Sequence, residues 1–128
     1  MIYLAAPYSH YNPEVVQSRM EKIYSLMAQY MKKGEHIFTP LFMHEVVIRH
    51  DLPNDFRYWG AYCLDHLKRC DKIIVFQLSG WESSRGVSEE ILFAIKNHIE
   101  VEYLSEEEWR QSIITNPTLL SSQSSTTA

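Results

Sequence analysis

The chain has 128 residues, of which 45% are hydrophobic, and its formal net charge is −4 at pH 7. A chain of this size buries one core, so we expect a single domain. Charges of both signs are mixed without a basic run, which argues against a nucleic acid polymer as a partner. The apolar runs are far shorter than the roughly 20 residues that span a bilayer, and the N-terminus leads directly into a strand-like segment. We therefore expect a cytoplasmic protein without a membrane partner.

In chain order, strand patterns alternate with helix patterns. Short apolar runs predict strands at 2–6, 36–40, 71–78 and 100–104. Apolar residues at helical spacing predict helices at 12–34, 55–70, 86–98 and 105–113. Residues 41–54 carry mixed signals and predict an irregular or partly helical segment. The serine- and threonine-rich residues 115–128 predict a disordered tail.

The first predicted helix carries the clearest boundary signals. Asn12 is a preferred cap residue, Pro13 fits the first turn, and Gly34 is a stop signal after two lysines. The predicted buried face of this helix is Val16, Met20, Ile23, Met27 and Met31. The corresponding face of the second helix is Phe56, Trp59, Cys63, Leu67 and Cys70.

An alternation of strands and helices is typical of a parallel sheet with helices on both faces. We therefore predict one doubly wound, Rossmann-like α/β domain over residues 1–114, with about four to five strands. Ligand sites in such folds lie at the carboxyl ends of the strands. In this chain those ends are residues 5–9, 40–44 and 77–86.

Two adjacent glutamates lie early in the helix predicted at 86–98. The apolar stripe that we expect to face the sheet is Val87, Ile91, Ala94, Ile95 and His98. Glu90 lies about 80–90° from the centre of that stripe, whereas Glu89 lies nearly opposite to it. We interpret Glu89 as a solvent-facing acid that complements the helix dipole. Glu90 is either a second such acid or a functional carboxylate at the edge of the buried face.

Three segments together resemble the nucleoside 2-deoxyribosyltransferase superfamily. The segment "SRGVSEEILFA" is similar to its signature, "IYLAAP" to its opening strand, and "LDHLKRCDKIIVF" to the helix and strand between them. The resemblance covers roughly residues 2–104. It implies that Glu90 is the nucleophile that attacks the sugar and that Tyr3 holds its carboxylate. It also implies a homodimer or a higher homo-oligomer.

One departure from the superfamily pattern concerns the substrate. Members that act on free deoxynucleosides usually carry an aspartate six residues before the nucleophile, where this chain has Ser84. A serine there resembles the branch that hydrolyses nucleoside 5′-monophosphates, in which it contacts phosphate. A hydroxyl and the N–H groups of residues 85–88 at a helix N-terminus also form a physically suitable anion site. The equally weighted alternative to a phosphate contact is that Ser83 and Ser84 are only loop and helix-cap residues, because serine is also a preferred cap.

A second departure concerns the acid that protonates the departing base. The superfamily's acid falls on Cys63, and Asp65 is rotated by about 200° from that position on a helix. We expect Asp65 to be the proton donor, with a surface acid as the alternative.

For Glu90 we expect an ionised carboxylate, with a pKa depressed by the helix N-terminus and a rotamer fixed by the Tyr3 hydroxyl.

These features predict an N-glycosidase that hydrolyses a ribonucleoside or deoxyribonucleoside 5′-monophosphate to free base and sugar 5-phosphate. A base-exchanging nucleoside 2-deoxyribosyltransferase and a non-catalytic nucleotide-binding module are the alternatives. The expected catalytic residues are Glu90, Tyr3 and Asp65. The expected contacts of the small-molecule nucleotide or nucleoside are Ser84, Gly86, Ser88, Ala5, Pro7, Ser9, Phe42 and Trp59.

Other side chains carry weaker signals. Cys63 and Cys70 lack the spacing of a zinc site or a disulfide framework, so we expect reduced thiols. The histidines and the acid at 44–51 lack a further histidine at ligand spacing, so we expect no metal, and we expect no cofactor. Aromatic and sulfur side chains near the strand ends either sandwich a base or pack in the core. They are Tyr8, Phe42, Met43, Trp59 and Trp81.

Overall fold

The computed structural model describes residues 1–53 and 55–115, and of Phe42 only the backbone. Strands β1 to β4 are Ile2–Ala5, Ile37–Phe38, Lys72–Gln77 and Glu100–Ser105. Helices α1 to α5 are Pro13–Lys32, His44–His50, Phe56–Leu67, Arg85–Lys96 and Glu106–Thr115. Two short 3₁₀ helices, Pro40–Met43 and Trp81–Ser83, follow β2 and β3. The irregular segment predicted after the second strand is thus largely helical, and the other predicted elements lie in the predicted order.

The four strands form one parallel sheet in the order β2-β1-β3-β4. In β1, Ile2 pairs with Ile37 on one side and with Lys72 on the other. The chain therefore adds strands to one side of β1 and then to the other, which confirms the doubly wound parallel fold. The direction of winding changes between β1 and β3, and a crevice is expected above their carboxyl ends.

Helices cover both faces of the sheet. On one face α1 and α5 pack on Leu4, Ile74 and Phe76, and on the other face α3 and α4 pack on Tyr3 and Val75. Successive residues of a strand point to opposite faces, so the two central strands need apolar side chains at nearly every position. This requirement explains the uninterrupted apolar character of β1 and of the centre of β3.

Capping residues fix where the helices begin. The Asn12 side chain accepts a hydrogen bond from the Glu14 N–H at 2.9 Å, and Pro13 is the first residue of α1, as predicted. Ser105 and Glu108 form a reciprocal capping box at α5, with distances of 2.9 and 3.0 Å. The Asn12 cap thereby sets the position of α1, which contributes one residue to the site described below.

The predicted buried stripe of α4 is wrong in part. Ile95 is 59% exposed, and His98 is exposed and lies beyond the end of the helix. Val87 and Ala94 are buried as predicted, and the third buried residue is Glu90. Because α4 contacts α3 as well as the sheet, its buried face is turned toward Glu90. Glu90 thus lies within the buried face rather than on its flank, and Glu89 is partly exposed.

The face predicted for α1 also needs correction. Met20 and Ile23 are buried as predicted, but Met31 is 54% exposed and the remaining buried positions include Arg19 and Gln29.

Among the described residues, no helix is long and apolar enough to cross a membrane. Thr115 is the last residue of α5, and the rest of the predicted tail lies outside the described residues.

Candidate functional site

A cleft of about 510 Å³ lies above the carboxyl ends of β1 and β3. Its walls come from the loop after β1, the segment after β2, the start of α3 and the loop from β3 into α4. This is the crevice that the strand order predicts. Seven of the predicted site residues line it, namely Ala5, Pro7, Ser9, Trp59, Ser84, Gly86 and Glu90.

Glu90 lies at the floor of the cleft and forms a buried pair with Tyr3, which does not itself line the cleft. The Tyr3 hydroxyl donates a hydrogen bond to Glu90 Oε2, and the two residues are 0% and 5% exposed. Tyr3 points to the face of the sheet that carries α3 and α4, and Glu90 is in the second turn of α4. The parallel pairing of β1 with β3 brings together side chains that are 87 positions apart.

The protonation of this pair differs from the sequence prediction. Burial raises the pKa of Glu90 to about 8, and the hydrogen bond from Tyr3 acts in the opposite direction. The predicted depression of this pKa is wrong because the loss of water around a fully buried carboxylate outweighs the favourable helix N-terminus. Burial, followed by the nearby Glu90 charge, raises the pKa of Tyr3, so its hydroxyl remains a donor.

The structure does not bring Asp65 to the cleft. Its side chain is 50% exposed and forms ion pairs with Lys68 at 3.3 Å and Arg69 at 3.6 Å. Cys63 lines the cleft instead, is 3% exposed and interacts with Tyr3. A helix rotates by about 200° over two residues, so both side chains cannot face the same cleft. The predicted proton donor is therefore an outward-facing surface acid.

The start of α4 forms a polar wall. Ser84 Oγ accepts the Val87 N–H at 3.3 Å, which makes Ser84 the cap of the helix, while its own hydroxyl proton remains able to donate to a ligand. Gly86 lies so close to α3 that a Cβ there would stand 3.1 Å from the Phe56 ring. Ser88, which we predicted as a substrate contact, is exposed and does not line the cleft.

Sequence reasoning missed a buried arginine. Arg19 of α1 lines the cleft and is 9% exposed. Its Nη1 donates to the carbonyls of Tyr8 and Ser9 at 3.2 and 2.9 Å, and its Nη2 donates to the carbonyl of Ser79 at 2.9 Å. Burial lowers its pKa. The arginine thus joins the loop after β1 to the loop after β3, and its position beside Met20 on the buried stripe was the available signal.

Gly80, in the loop after β3, packs against this arginine. It has φ of +92°, and a Cβ there would stand 2.8 Å from Arg19 Nη2. A left-handed backbone and a close guanidinium therefore both require glycine at this position.

Aromatic and charged side chains complete the cleft. Trp59 and Phe56 line it from the start of α3, and Trp59 Nε1 donates to the Pro53 carbonyl at 2.7 Å. Tyr8 and Met43 also line it. Trp81 does not, because it packs toward Tyr103, and the Phe42 side chain is outside the described part of the chain. Besides Arg19, three charged residues outside the predicted set line the cleft, namely Asp55, Arg57 and Arg85.

The histidine considered for metal binding has another environment. His44 is 6% exposed, and its Nδ1 lies 2.7 Å from the Tyr8 hydroxyl. In residues 1–53 and 55–115, no three His, Cys, Asp or Glu side chains are grouped as a metal site requires.

The parallel sheet and the cleft at its change of winding define a small Rossmann-like α/β domain. The chain belongs to the family described as Domain of unknown function (DUF1937), whose model matches residues 1–106. No curated protein matches the chain. The matched span contains all the cleft residues discussed above.

Proposed function

We propose that the protein is an N-glycosidase that hydrolyses a nucleoside 5′-monophosphate to free base and sugar 5-phosphate. The observation that carries this proposal is the buried pair of Tyr3 and Glu90 at the floor of the cleft. The sequence resemblance to the nucleoside 2-deoxyribosyltransferase superfamily supports it. Tyr3 belongs to the segment that resembles the opening strand of that superfamily, and Glu90 belongs to the segment that resembles its signature.

The pair is suited to cleavage of the bond between C1′ and the base nitrogen. As this bond breaks, positive charge develops on the sugar ring, and a carboxylate held against it stabilises that charge. Tyr3 occupies Oε2, so Oε1 attacks C1′ while the bonding electrons leave with the base, which takes a proton from water at the open side of the cleft. Water then cleaves the glycosyl ester, which releases the sugar phosphate and restores the Glu90 carboxylate.

The charge around the cleft favours a phosphorylated substrate. Arg19, Arg57 and Arg85 line the cleft together with two acids, Asp55 and Glu90, although the whole chain carries a net charge of −4. A cleft with an excess of guanidinium groups attracts an anion. The N-terminus of α4 adds backbone N–H groups and the hydroxyl of its cap residue, which are suitable donors to phosphate oxygens.

The proposal is tested by incubating the pure protein with each ribonucleoside and deoxyribonucleoside, both free and as the 5′-monophosphate. Chromatography should detect released base from at least one monophosphate and much less from the matching nucleoside. Base released only when a second base is added would indicate a transferase. Release from none of them would leave a nucleotide-binding module.

The phosphate contact is tested by Ser84→Ala. Loss of one hydroxyl donor to a charged oxygen should raise KM for the monophosphate about tenfold and leave turnover of the free nucleoside nearly unchanged. Ser88→Ala is the matched control, because Ser88 is in the same helix but is exposed and outside the cleft. An equal loss for both substrates would contradict a phosphate contact at Ser84.

A further inference from the structure

Tyr8 and His44 form a polar contact on the apolar side of the cleft. Tyr8 lines the cleft directly after β1, and its hydroxyl lies 2.7 Å from His44 Nδ1. The two rings meet edge to face, with centroids 5.5 Å apart and planes at 86°. A hydrogen bond and a perpendicular ring contact together fix the direction of the tyrosine hydroxyl.

The surroundings of this contact are mostly hydrophobic. Leu41 and Met43 are both 6% exposed, belong to the core beneath the α1 face of the sheet and line the cleft beside Tyr8. Trp59 packs against the same cluster from α3. The polar loop around Ser84 leads into α4 on the other face of the sheet and forms a different part of the wall. The cleft thus has an apolar part and a polar part, with Glu90 at its floor.

This division suits the two ends of a nucleotide. A base is a flat, largely apolar ring with polar groups at its edge, and such ligands are held by apolar walls and a few fixed polar groups. The Tyr8 hydroxyl is such a group, because it both donates and accepts hydrogen bonds. Burial raises the pKa of Tyr8, so the hydroxyl keeps its proton at neutral pH.

His44 is suited to positioning rather than direct contact. It is the first residue of α2, it is 6% exposed, and it does not itself line the cleft. A neutral imidazole carries one donor and one acceptor nitrogen. Whichever role Nδ1 takes, the Tyr8 oxygen keeps the complementary hydrogen-bonding capacity for a ligand, so the pair presents one oriented polar group in an apolar wall.

We infer that Tyr8 is the residue that hydrogen-bonds the polar edge of the base and that His44 is its positioning residue. This inference rests on the proposed function, because it takes the ligand of the cleft to be a nucleotide. Tyr8 therefore contributes to the choice among bases and not to the binding of the sugar phosphate.

Binding is measured by calorimetry in a Glu90→Gln background, where turnover does not interfere. The probes are the four ribonucleoside 5′-monophosphates, the four deoxyribonucleoside 5′-monophosphates and ribose 5-phosphate, which lacks a base. Tyr8→Phe should weaken the best-bound monophosphate about 5- to 10-fold, reduce the ratio of best to worst monophosphate by the same factor and leave ribose 5-phosphate unchanged. Tyr11→Phe is the matched control, since Tyr11 is 93% exposed in the same loop.

The histidine is tested by two substitutions. His44→Leu should reproduce the loss seen in Tyr8→Phe, and the double variant should lose no more than either single one. His44→Asn places an amide near the position of Nδ1 and should recover most of the discrimination. A uniform loss for all probes, ribose 5-phosphate included, would indicate a structural role and overturn the inference.

The remaining outcomes separate this inference from the proposed function. Selective weakening of nucleotides by Tyr8→Phe in a protein that releases no base would reject the glycosidase and retain the base contact. Base release by a protein whose ratios among monophosphates do not respond to Tyr8→Phe would retain the glycosidase and reject the contact. If none of these probes binds, both are rejected.

Discussion

The two ends of the parallel sheet differ in the burial and pairing of their charged groups. At the amino end, the Met1 ammonium pairs with Asp71 at 2.8 Å and Lys72 with Glu102 at 3.1 Å, all in contact with solvent. At the carboxyl end, Glu90 is buried with a tyrosine and Arg19 is buried among carbonyls, and in the described residues neither has a partner of opposite charge. Burial of an unpaired ionisable group costs stability. The contrast therefore supports the proposal that the functional site lies at the carboxyl end.

The largest effect on turnover is expected for Glu90→Gln at the carboxyl end. The amide keeps the size of the side chain but cannot attack C1′, so turnover of the best nucleotide should fall by about 10³-fold or more. Released base, measured by chromatography, is the readout. The variant should still bind nucleotide, because the anion contacts are on other residues.

The adjacent acid provides the control for this loss. Glu89→Gln changes a partly exposed side chain that does not line the cleft and should retain activity within about twofold. Loss of turnover in Glu89→Gln together with retention in Glu90→Gln would reverse the assignment of the two glutamates.

The next largest effect concerns the buried cation. Arg19→Met removes the donors to three carbonyls and should lower the free energy of unfolding by about 2–4 kcal/mol. Denaturant titration measures the change. Arg49→Met is the matched exposed control, since Arg49 pairs with Glu45 at 3.0 Å on the surface of α2 and should cost less than about 1 kcal/mol. Equal losses would show that the Arg19 contacts add nothing beyond an ordinary surface pair.

A smaller effect concerns the pH dependence of the pair at the floor. Glu90 must lose its proton to attack, and its pKa is raised to about 8, so turnover should increase as pH rises from 6 to 9. The Tyr3 hydrogen bond lowers this pKa. Tyr3→Phe should therefore move the ascending limb to higher pH and reduce turnover at pH 7 by about 10- to 100-fold. An unchanged midpoint in the variant would mean that the limb reports another group.

The smallest effect is expected at the amino end of the sheet. Asp71→Asn removes the partner whose hydrogen bond raises the pKa of the Met1 ammonium, so that pKa should fall toward its ordinary value. Both groups are exposed, so turnover and the thermal midpoint should remain within experimental error. The ammonium pKa is measured by titration followed by NMR. A large loss of turnover in Asp71→Asn would contradict the proposal that only the carboxyl end of the sheet takes part in the reaction.

The order of elements and the location of the cleft were predictable because they depend on periodicity. Alternating strand and helix patterns determine a parallel sheet, and its carboxyl ends then mark the crevice. The Asn12 cap and the Pro13 start were equally readable, since capping depends on adjacent residues. Each of these features depends on residues that are close in the sequence, or on the way in which consecutive strands and helices connect in a parallel sheet.

The polar members of the site were harder to predict because they break the apolar pattern. The buried face of α4 was placed by its hydrophobic residues, yet its centre holds Glu90 while Ile95 is exposed. Arg19 was overlooked for the same reason, because a charged residue on a buried stripe violates the rule used to find that stripe. The position of Asp65 depended on helix rotation, where a two-residue difference separates the cleft from the surface.

The contact of Gly80 with Arg19 restricts the order in which this corner of the protein can change. A side chain at position 80 meets both a left-handed backbone and the guanidinium of Arg19, whereas a smaller residue at position 19 removes only the second obstacle. Substitution at 19 must therefore precede substitution at 80, and the first step already releases the two loops beside the cleft. The two loops are therefore expected to change together, because a residue larger than glycine at position 80 first requires loss of the arginine that joins them.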